Sequence, residues 1–334
     1  MYILGLESSC DETSAAVVEM SEEGRYIRSN IVASQIDVHR LYGGVVPEIA
    51  SRAHIEAISN ITYEALEKAG ITLSDVGAIG VTAFPGLIGA LLVGVNFAKS
   101  LAYANGIPLV AVNHIHGHVS AALLGDPELA PPFLALVVSG GHTSIYKVDS
   151  YTDYEEIGST RDDAVGESFD KVARVIGMPY PGGAALDKLA YEGDSRSITL
   201  PSPAIVGDNL DFSYSGLKTA ALNYINQMKQ KNEEVNRADL AASYTRAVTR
   251  AVAKKISSAL DVTSMKTLVM AGGVAANSHL RKAVGDVCTS KKVRFVCPPI
   301  SLCGDNAAMI AAAAYYEFLK GNFADTSLNA SATE

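Results

Sequence analysis

Cysteine is scarce and poorly spaced for cross-linking. Four residues, Cys10, Cys288, Cys297 and Cys303, contain no CxxC pair, which excludes a disulfide framework and a zinc ribbon and points to a reducing compartment. A basic excess is missing too. With 27 Lys and Arg against 36 Asp and Glu the formal charge is −9, so the chain does not live by nonspecific phosphate binding, which needs clustered cations for counterion release. Specific recognition of nucleic acid stays open. The first residues, MYILGLESSCDE, have no Lys or Arg, and Glu7 breaks their apolar run; no export signal is read, and a cytoplasmic location is expected. One uncharged stretch, Val76 to Ala98, approaches the roughly 20 residues of a membrane span. Its Pro85, Asn96 and five glycines make it a strand, a turn and a buried helix instead. No Walker A sequence, no GxGxxG after a strand and no HExxH is present, which lowers P-loop, dinucleotide and zincin readings.

At roughly 100 to 200 residues per domain, 334 residues suggest two domains or lobes. Tyr2 to Leu6, a polar turn and Ser14 to Val18 read as a hairpin. The layout returns where Phe133 to Val138 runs into Ser139-Gly140-Gly141-His142 and leaves through Ile145 to Val148. Ile79 to Thr82 before Phe84-Pro85-Gly86, and Leu268 to Ala271 before Gly272-Gly273, form a second recurring pair, each a buried strand followed by a helix. The order suggests a duplicated lobe with a site in the crevice between copies. Helices are expected over Ser51 to Ala69, marked by Ile55, Ile58, Ile61 and Leu66 and stopped by Gly70, over Ala238 to Leu260, and over Asn306 to Leu319. Tyr151 to Gly193, rich in Gly, Asp and Pro, reads as a loop-rich segment with one short helix. The tail from Gly321 is expected to fray.

Three constellations could carry chemistry. In Asn113-His114-Ile115-His116-Gly117-His118 a helix start places residues four apart on one face, so His114 and His118 can chelate one ion while His116 points elsewhere. With Ile115 where a zincin has Glu, protease chemistry lacks its base. Asp305, just before an alanine-rich helix, reads on its own as a plain N-cap. Glycine turns after strands, Ser139-Gly140-Gly141, Gly182-Gly183 and Gly272-Gly273, allow backbone amides close to a phosphate or a purine. Asp11 and Glu12, Asp162, Asp163, Glu167, Asp170 and Asp187 supply carboxylates that could hold ribose, bind magnesium or act as bases.

Taken in order, Gly5-Leu6-Glu7-Ser8-Ser9-Cys10-Asp11-Glu12-Thr13, Tyr42-Gly43-Gly44-Val45-Val46-Pro47-Glu48, the His114 to His118 segment, Val138-Ser139-Gly140-Gly141-His142-Thr143, Tyr180-Pro181-Gly182-Gly183, Asp211-Phe212-Ser213-Tyr214-Ser215-Gly216-Leu217-Lys218-Thr219, Met270-Ala271-Gly272-Gly273-Val274 and Asp305-Asn306 closely resemble the TsaD family, the tRNA threonylcarbamoyladenosine transferases, in its bacterial branch. The resemblance implies an α/β ASKHA fold of two ribonuclease-H-like lobes with a nucleotide cleft between them. The lobes would be 1–127, completed by the C-terminal helix, and 128–334 with the insertion 151–193. The activity implied is transfer of threonylcarbamoyl from threonylcarbamoyl-adenylate to N6 of the adenosine 3′ of the anticodon, in tRNAs reading codons that begin with A, with release of AMP.

By the same resemblance, His114, His118 and Asp305 would ligate one divalent metal, Fe2+ or Zn2+, which makes Asp305 a ligand rather than a cap. Val137, Val138, Ser139, Gly140 and Gly141 would contact the phosphate or threonyl part. Asp170, Gly183 and Asp187 would take the ribose, and Gly272, Gly273 and Asn277 the nucleotide. Asp11 and Glu12 are the candidates to orient the amine or accept its proton. Implied partners are tRNA, a smaller paralogous ASKHA protein of the TsaB type and a P-loop ATPase of the TsaE type, with no membrane. His116 stands where the family commonly has Glu and could add positive charge below its pKa of about 6.5. Lys and Arg such as Arg52, Lys171, Arg174 and Lys218 would meet tRNA phosphates. An ASKHA kinase or ATPase is the main rival, disfavoured because magnesium prefers oxygen ligands; a metalloprotease is the lesser one.

Overall fold

A hairpin opens the chain. In the computed structural model, which describes residues 1–202 and 209–333, β1 (Tyr2–Glu7) and β2 (Glu12–Met20) pair antiparallel from Tyr2↔Glu19 to Glu7↔Ser14. Both are covered on both faces, which is why they read as near-continuous apolar runs. β3 (Arg25–Ser34) adds to β2 as a half-exposed edge. After the short α1 (Ile36–Arg40), α2 (Pro47–Ala69) starts on a proline, whose fixed φ suits the first helical turn, and ends on Gly70 at φ 68°. It begins before Ser51, and of its marker residues Ile58 and Ile61 are buried while Ile55 faces out. β4 (Val76–Phe84), α3 (Ile88–Asn105), β5 (Leu109–Asn113) and α4 (His114–Gly125) follow, with β1, β4 and β5 parallel. The sheet order is β3-β2-β1-β4-β5.

The second half repeats this plan. β6 (Phe133–Val138), β7 (Thr143–Ser150) and β8 (Asp153–Ser159) precede α5 (Val165–Val175), α6 (Gly183–Leu189), α7 (Ser215–Gln230) and α8 (Arg237–Thr263). β9 (Thr267–Ala271), α9 (Ser278–Lys291) and β10 (Arg294–Val296) complete it. The order β10-β9-β6-β7-β8 is that of the first sheet written from the other edge, with an antiparallel hairpin and parallel β6, β9 and β10. The stretch 151–193 is therefore more regular than its composition suggests. β8 looks polar because it is an edge strand with mostly solvated side chains, and α5 buries Val165, Phe169 and Val172 at helical spacing.

The chain divides into two units, Met1–Pro131 with Ser150–Asp153 and Pro298–Glu334, and Pro132–Asp149 with Tyr154–Cys297. The last helix, α10 (Ala307–Lys320), packs on β1, β2, β4 and α4 of the first unit. Alanine dominates it because it lies almost in van der Waals contact with the sheet: a Cβ on Gly5 would stand 2.2 Å from the Ala307 carbonyl oxygen, and one on Gly80 2.4 Å from the Ala314 Cβ. Side chains there would lift the helix and carry the preceding loop, with Asp305, away from α4. The tail beyond Gly321 does not fray. Ala324 N donates to Leu109 O (2.8 Å), Ser331 N to Ala83 O (3.0 Å), and Lys99 Nζ to Leu328 O (2.8 Å); backbone pairing holds it where side chains give no signal. Among the described residues no helix is long and apolar enough to cross a membrane.

Candidate functional site

The histidine pair sits where β5 becomes α4. Asn113 caps the helix, its Oδ1 accepting from Ile115 N at 2.7 Å, and one turn of helix brings His118 onto the face of His114. Asp305 meets them: its Oδ1 is 3.2 Å from His118 Nε2 and 3.6 Å from His114 Nε2. The carboxylate is not the helix cap. Asn306 takes that position, its Oδ1 accepting from Met309 N at 3.1 Å while Ser14 Oγ accepts from Ala307 N at 2.9 Å. One potential ligand atom from each of the three residues lies within 4.8 Å of the others.

Whether this set suits a cation is decided by what else could satisfy it. His118 is fully buried, and among the described residues neither ring nitrogen makes a well-aligned hydrogen bond, although Asp305 Oδ1 lies 3.2 Å from Nε2; a buried polar group left so costs about 1–3 kcal/mol unless something binds there. Two imidazoles and a carboxylate with room for further ligands match iron or zinc better than magnesium. The arrangement fits the expected ion.

His114 is held from behind. Its Nδ1 lies 3.0 Å from Glu7 Oε2 and 3.1 Å from Ser9 Oγ. Burial disfavours its charge, but Glu7 and then Asp305 outweigh this and raise the metal-free imidazole to about 9. Burial likewise pushes Glu7 up, and His114 then brings it below the usual carboxylate range. His116 behaves otherwise. Burial lowers it to about 4, so it stays neutral and adds no positive charge at physiological pH.

Asp11 and Glu12 occupy the β1–β2 turn of the same unit. The turn is pinned: Leu87 N donates to Ser9 O (2.8 Å), Gln35 N to Asp11 O (2.9 Å), and the buried His54 bridges Thr13 Oγ1 (2.7 Å) and Cys10 O (3.0 Å). Burial, then Asp305 and Asp11, raise the Glu12 carboxyl to about 9. In the metal-free chain it is therefore protonated at neutral pH, and neutralising Asp305 with a cation removes one cause of that shift.

The remaining candidates lie in the second unit. Val137 and Val138 are core residues of the central strand, so their side chains face no solvent. Ser139 closes the turn, donating N–H to His142 O at 2.8 Å and accepting from His142 N at 3.0 Å; Gly140 and Gly141 stand open. Gly272 packs against this strand at φ 94°, where a Cβ would fall 2.4 Å from Val138 O, while Gly273 is exposed. Asp170 Oδ1 accepts from Gly182 N and Gly183 N, both at 2.8 Å. Asp187 binds Ser278 Oγ and His279 Nδ1, each at 2.7 Å, and Asn277 Oδ1 caps α9 through Leu280 N (2.8 Å). Much of their capacity is thus spent locally. The sequence alone does not single out Glu7 or His54; Glu7 registers there only as an interruption of an apolar run.

The fold and the site define a class: an ASKHA-fold protein of two similarly ordered five-stranded α/β units, with a buried His–His–Asp set in the first. The structure resembles component A of the (R)-2-hydroxyglutaryl-CoA dehydratase of Acidaminococcus fermentans, at 16% identity and a TM-score of 0.57 over 96% of this chain and 98% of that one. It also resembles HypF of T. kodakarensis, at 14% identity and 0.65 over 98% of this chain and 49% of that one. The profile of the family described as TsaD, tRNA N6-adenosine threonylcarbamoyltransferase, matches residues 26–312, and a Clostridium novyi protein of that name is 53% identical over 98% of this chain and 96% of its own. The chain belongs to this family of transferases.

Proposed function

We propose that the chain transfers threonylcarbamoyl from threonylcarbamoyl-adenylate to N6 of the adenosine 3′ of the anticodon in tRNAs reading codons that begin with A. The observation that carries this reading, within a family of that name, is the set of two buried imidazoles, His114 and His118, converging on the Asp305 carboxylate. In the reaction the amine nitrogen bonds to the carbamoyl carbon, the bond from that carbon to the phosphate oxygen breaks, AMP leaves with the electron pair, and the amine gives up a proton. A divalent ion held by these three residues, Fe2+ or Zn2+, would supply Lewis-acid polarisation of a substrate oxygen.

The chain's own groups do the rest. Asp11 and Glu12, on a turn tied down by His54 and Gln35, orient the amine or, where ionised, accept its proton; such positioning is worth several kcal/mol of barrier when geometry is held. The open Gly140 and Gly141 offer backbone amides to the phosphate or threonyl part with no Cβ in the way, and Val137, Val138 and Ser139 shape that turn. Asp170 Oδ2, Gly183 and Asp187 take the ribose, and Gly272, Gly273 and Asn277 the nucleotide.

Of the cations offered for tRNA phosphates, Arg174 is exposed and has no carboxylate partner among the described residues, whereas the other three are paired. Arg52 pairs with Glu48, and Lys171 and Lys218 both pair with Asp163. Arg246, Arg250 and Lys254, four apart along α8, have no carboxylate partner among the described residues and suit that task better. A TsaB-type paralogue, a TsaE-type ATPase and a cytoplasmic setting complete the proposal. The test supplies the chain, with and without those partners, with threonylcarbamoyl-adenylate and unmodified tRNA. Mass spectrometry should find threonylcarbamoyladenosine; its absence in every combination would refute the activity.

A further inference from the structure

Glu7 is a fully buried carboxylate at the end of β1, an expensive group to place in a core unless it is paired and hydrogen-bonded. Here it is. Oε1 accepts from Ser9 N at 2.5 Å, and Oε2 accepts from Thr82 Oγ1 at 2.7 Å and faces His114 Nδ1 at 3.0 Å. Because Glu7 only accepts, the ring must present Nδ1–H to it. In the neutral ring, the form that can ligate, the proton is then off Nε2, the nitrogen turned toward Asp305. The same side chain touches the base of the turn bearing Asp11 and Glu12, so one residue ties that turn to the imidazole.

We propose that Glu7 is a positioning residue for the metal centre, fixing the His114 tautomer and ring orientation and aligning the Ser9–Glu12 turn to it. The proposal rests on the reading of His114, His118 and Asp305 as ligands. Glutamine has nearly the same shape but cannot reproduce the contacts. If its amide nitrogen faces Ser9, two donors meet; if it faces His114, the ring is driven to the tautomer whose Nε2 carries hydrogen and cannot ligate. Partners that orient a ligating histidine typically affect metal affinity about 10–100-fold.

The experiment titrates Zn2+ and Co2+ into metal-stripped full-length chain, reading affinity by competition with a chelating dye and geometry by the visible Co2+ spectrum. Glu7→Gln should bind Zn2+ about 10–100-fold more weakly with an altered Co2+ spectrum, while Thr82→Val, which removes a hydrogen bond to the same oxygen and leaves the tautomer alone, should stay within about threefold. His118→Ala separates the two ideas. If it binds Zn2+ as tightly as wild type, the ligand reading fails and the role of Glu7 falls with it; if it loses Zn2+ while Glu7→Gln stays within about twofold of wild type, the ligand reading stands and the role of Glu7 is wrong. Should Glu7→Gln not fold, the Zn2+-loaded wild type still decides: nitrogen-15 spectra should show the His114 proton on Nδ1, and a proton on Nε2 would overturn the proposal.

Discussion

In the first unit 7 Lys and Arg stand against 19 Asp and Glu, a net of −12, whereas the second carries 20 against 17, a net of +3. The strand order is the same in both, so the backbone plan does not dictate this asymmetry. What differs is the work at corresponding places. In the first unit the turn after the central strand carries Ser9 to Glu12 and packs beside buried imidazoles; in the second it is Ser139 to His142, with two open glycines and no acidic residue. Acidic surroundings suit a cation site, and basic ones suit a polyanion. The overall charge of −9 is thus the sum of two unlike halves.

Breaking one half should leave the other legible. The largest effect is expected from His118→Ala or Asp305→Ala: bound metal, read by elemental analysis, and transfer activity should both fall at least about 100-fold, with the second unit's nucleotide affinity retained. Asp11→Ala comes next, abolishing transfer to tRNA while circular dichroism stays native; wild-type rates would remove Asp11 from the chemistry. Gly272→Ala strikes the other half. Its positive φ and the close Val138 carbonyl should cost about 1–3 kcal/mol, seen as a lower Tm with Zn2+ affinity unchanged.

Replacing Arg246, Arg250 and Lys254 together by alanine should weaken tRNA binding and reduce the slope of log affinity against log salt by about 2, at roughly 0.7–0.9 per phosphate contact. An unchanged slope would place the contacts on other residues. A pH effect concerns Glu12. Its folded pKa, raised to about 9 from 4.5, means its contribution to stability is fully present below pH 4.5 and is lost as pH rises through about 9. Metal-free wild type should therefore lose stability relative to Glu12→Gln over that window, by up to about 1.4 kcal/mol for each pH unit within it; parallel denaturation curves at pH 5 and pH 9 would contradict the shift.

Much of this is visible in the sequence, for reasons that differ by residue. The His114 and His118 spacing is a local signal, fixed by helix geometry, and both hairpins announce themselves through apolar runs flanking polar turns. Asp305 is ambiguous there because Asp and Asn are both good caps; only the structure shows Asn306 taking that position. Glu7 cannot be read from sequence, since its partners lie 75 and 107 residues away and a carboxylate in a strand otherwise looks like a flaw in the pattern. The ordered tail gives no sequence signal because its anchors are backbone carbonyls, which carry no residue identity. Lys171 and Lys218 look free for phosphate until the fold places Asp163 between them.

The most direct test of the central claim is transfer measured against metal loading. Metal-stripped chain, reloaded stepwise with Fe2+ or Zn2+, should regain threonylcarbamoyl transfer to tRNA in proportion to occupancy, saturating at one ion per chain, and His118→Ala should regain none. Full transfer by the stripped chain in the presence of chelator would contradict a metal-dependent mechanism.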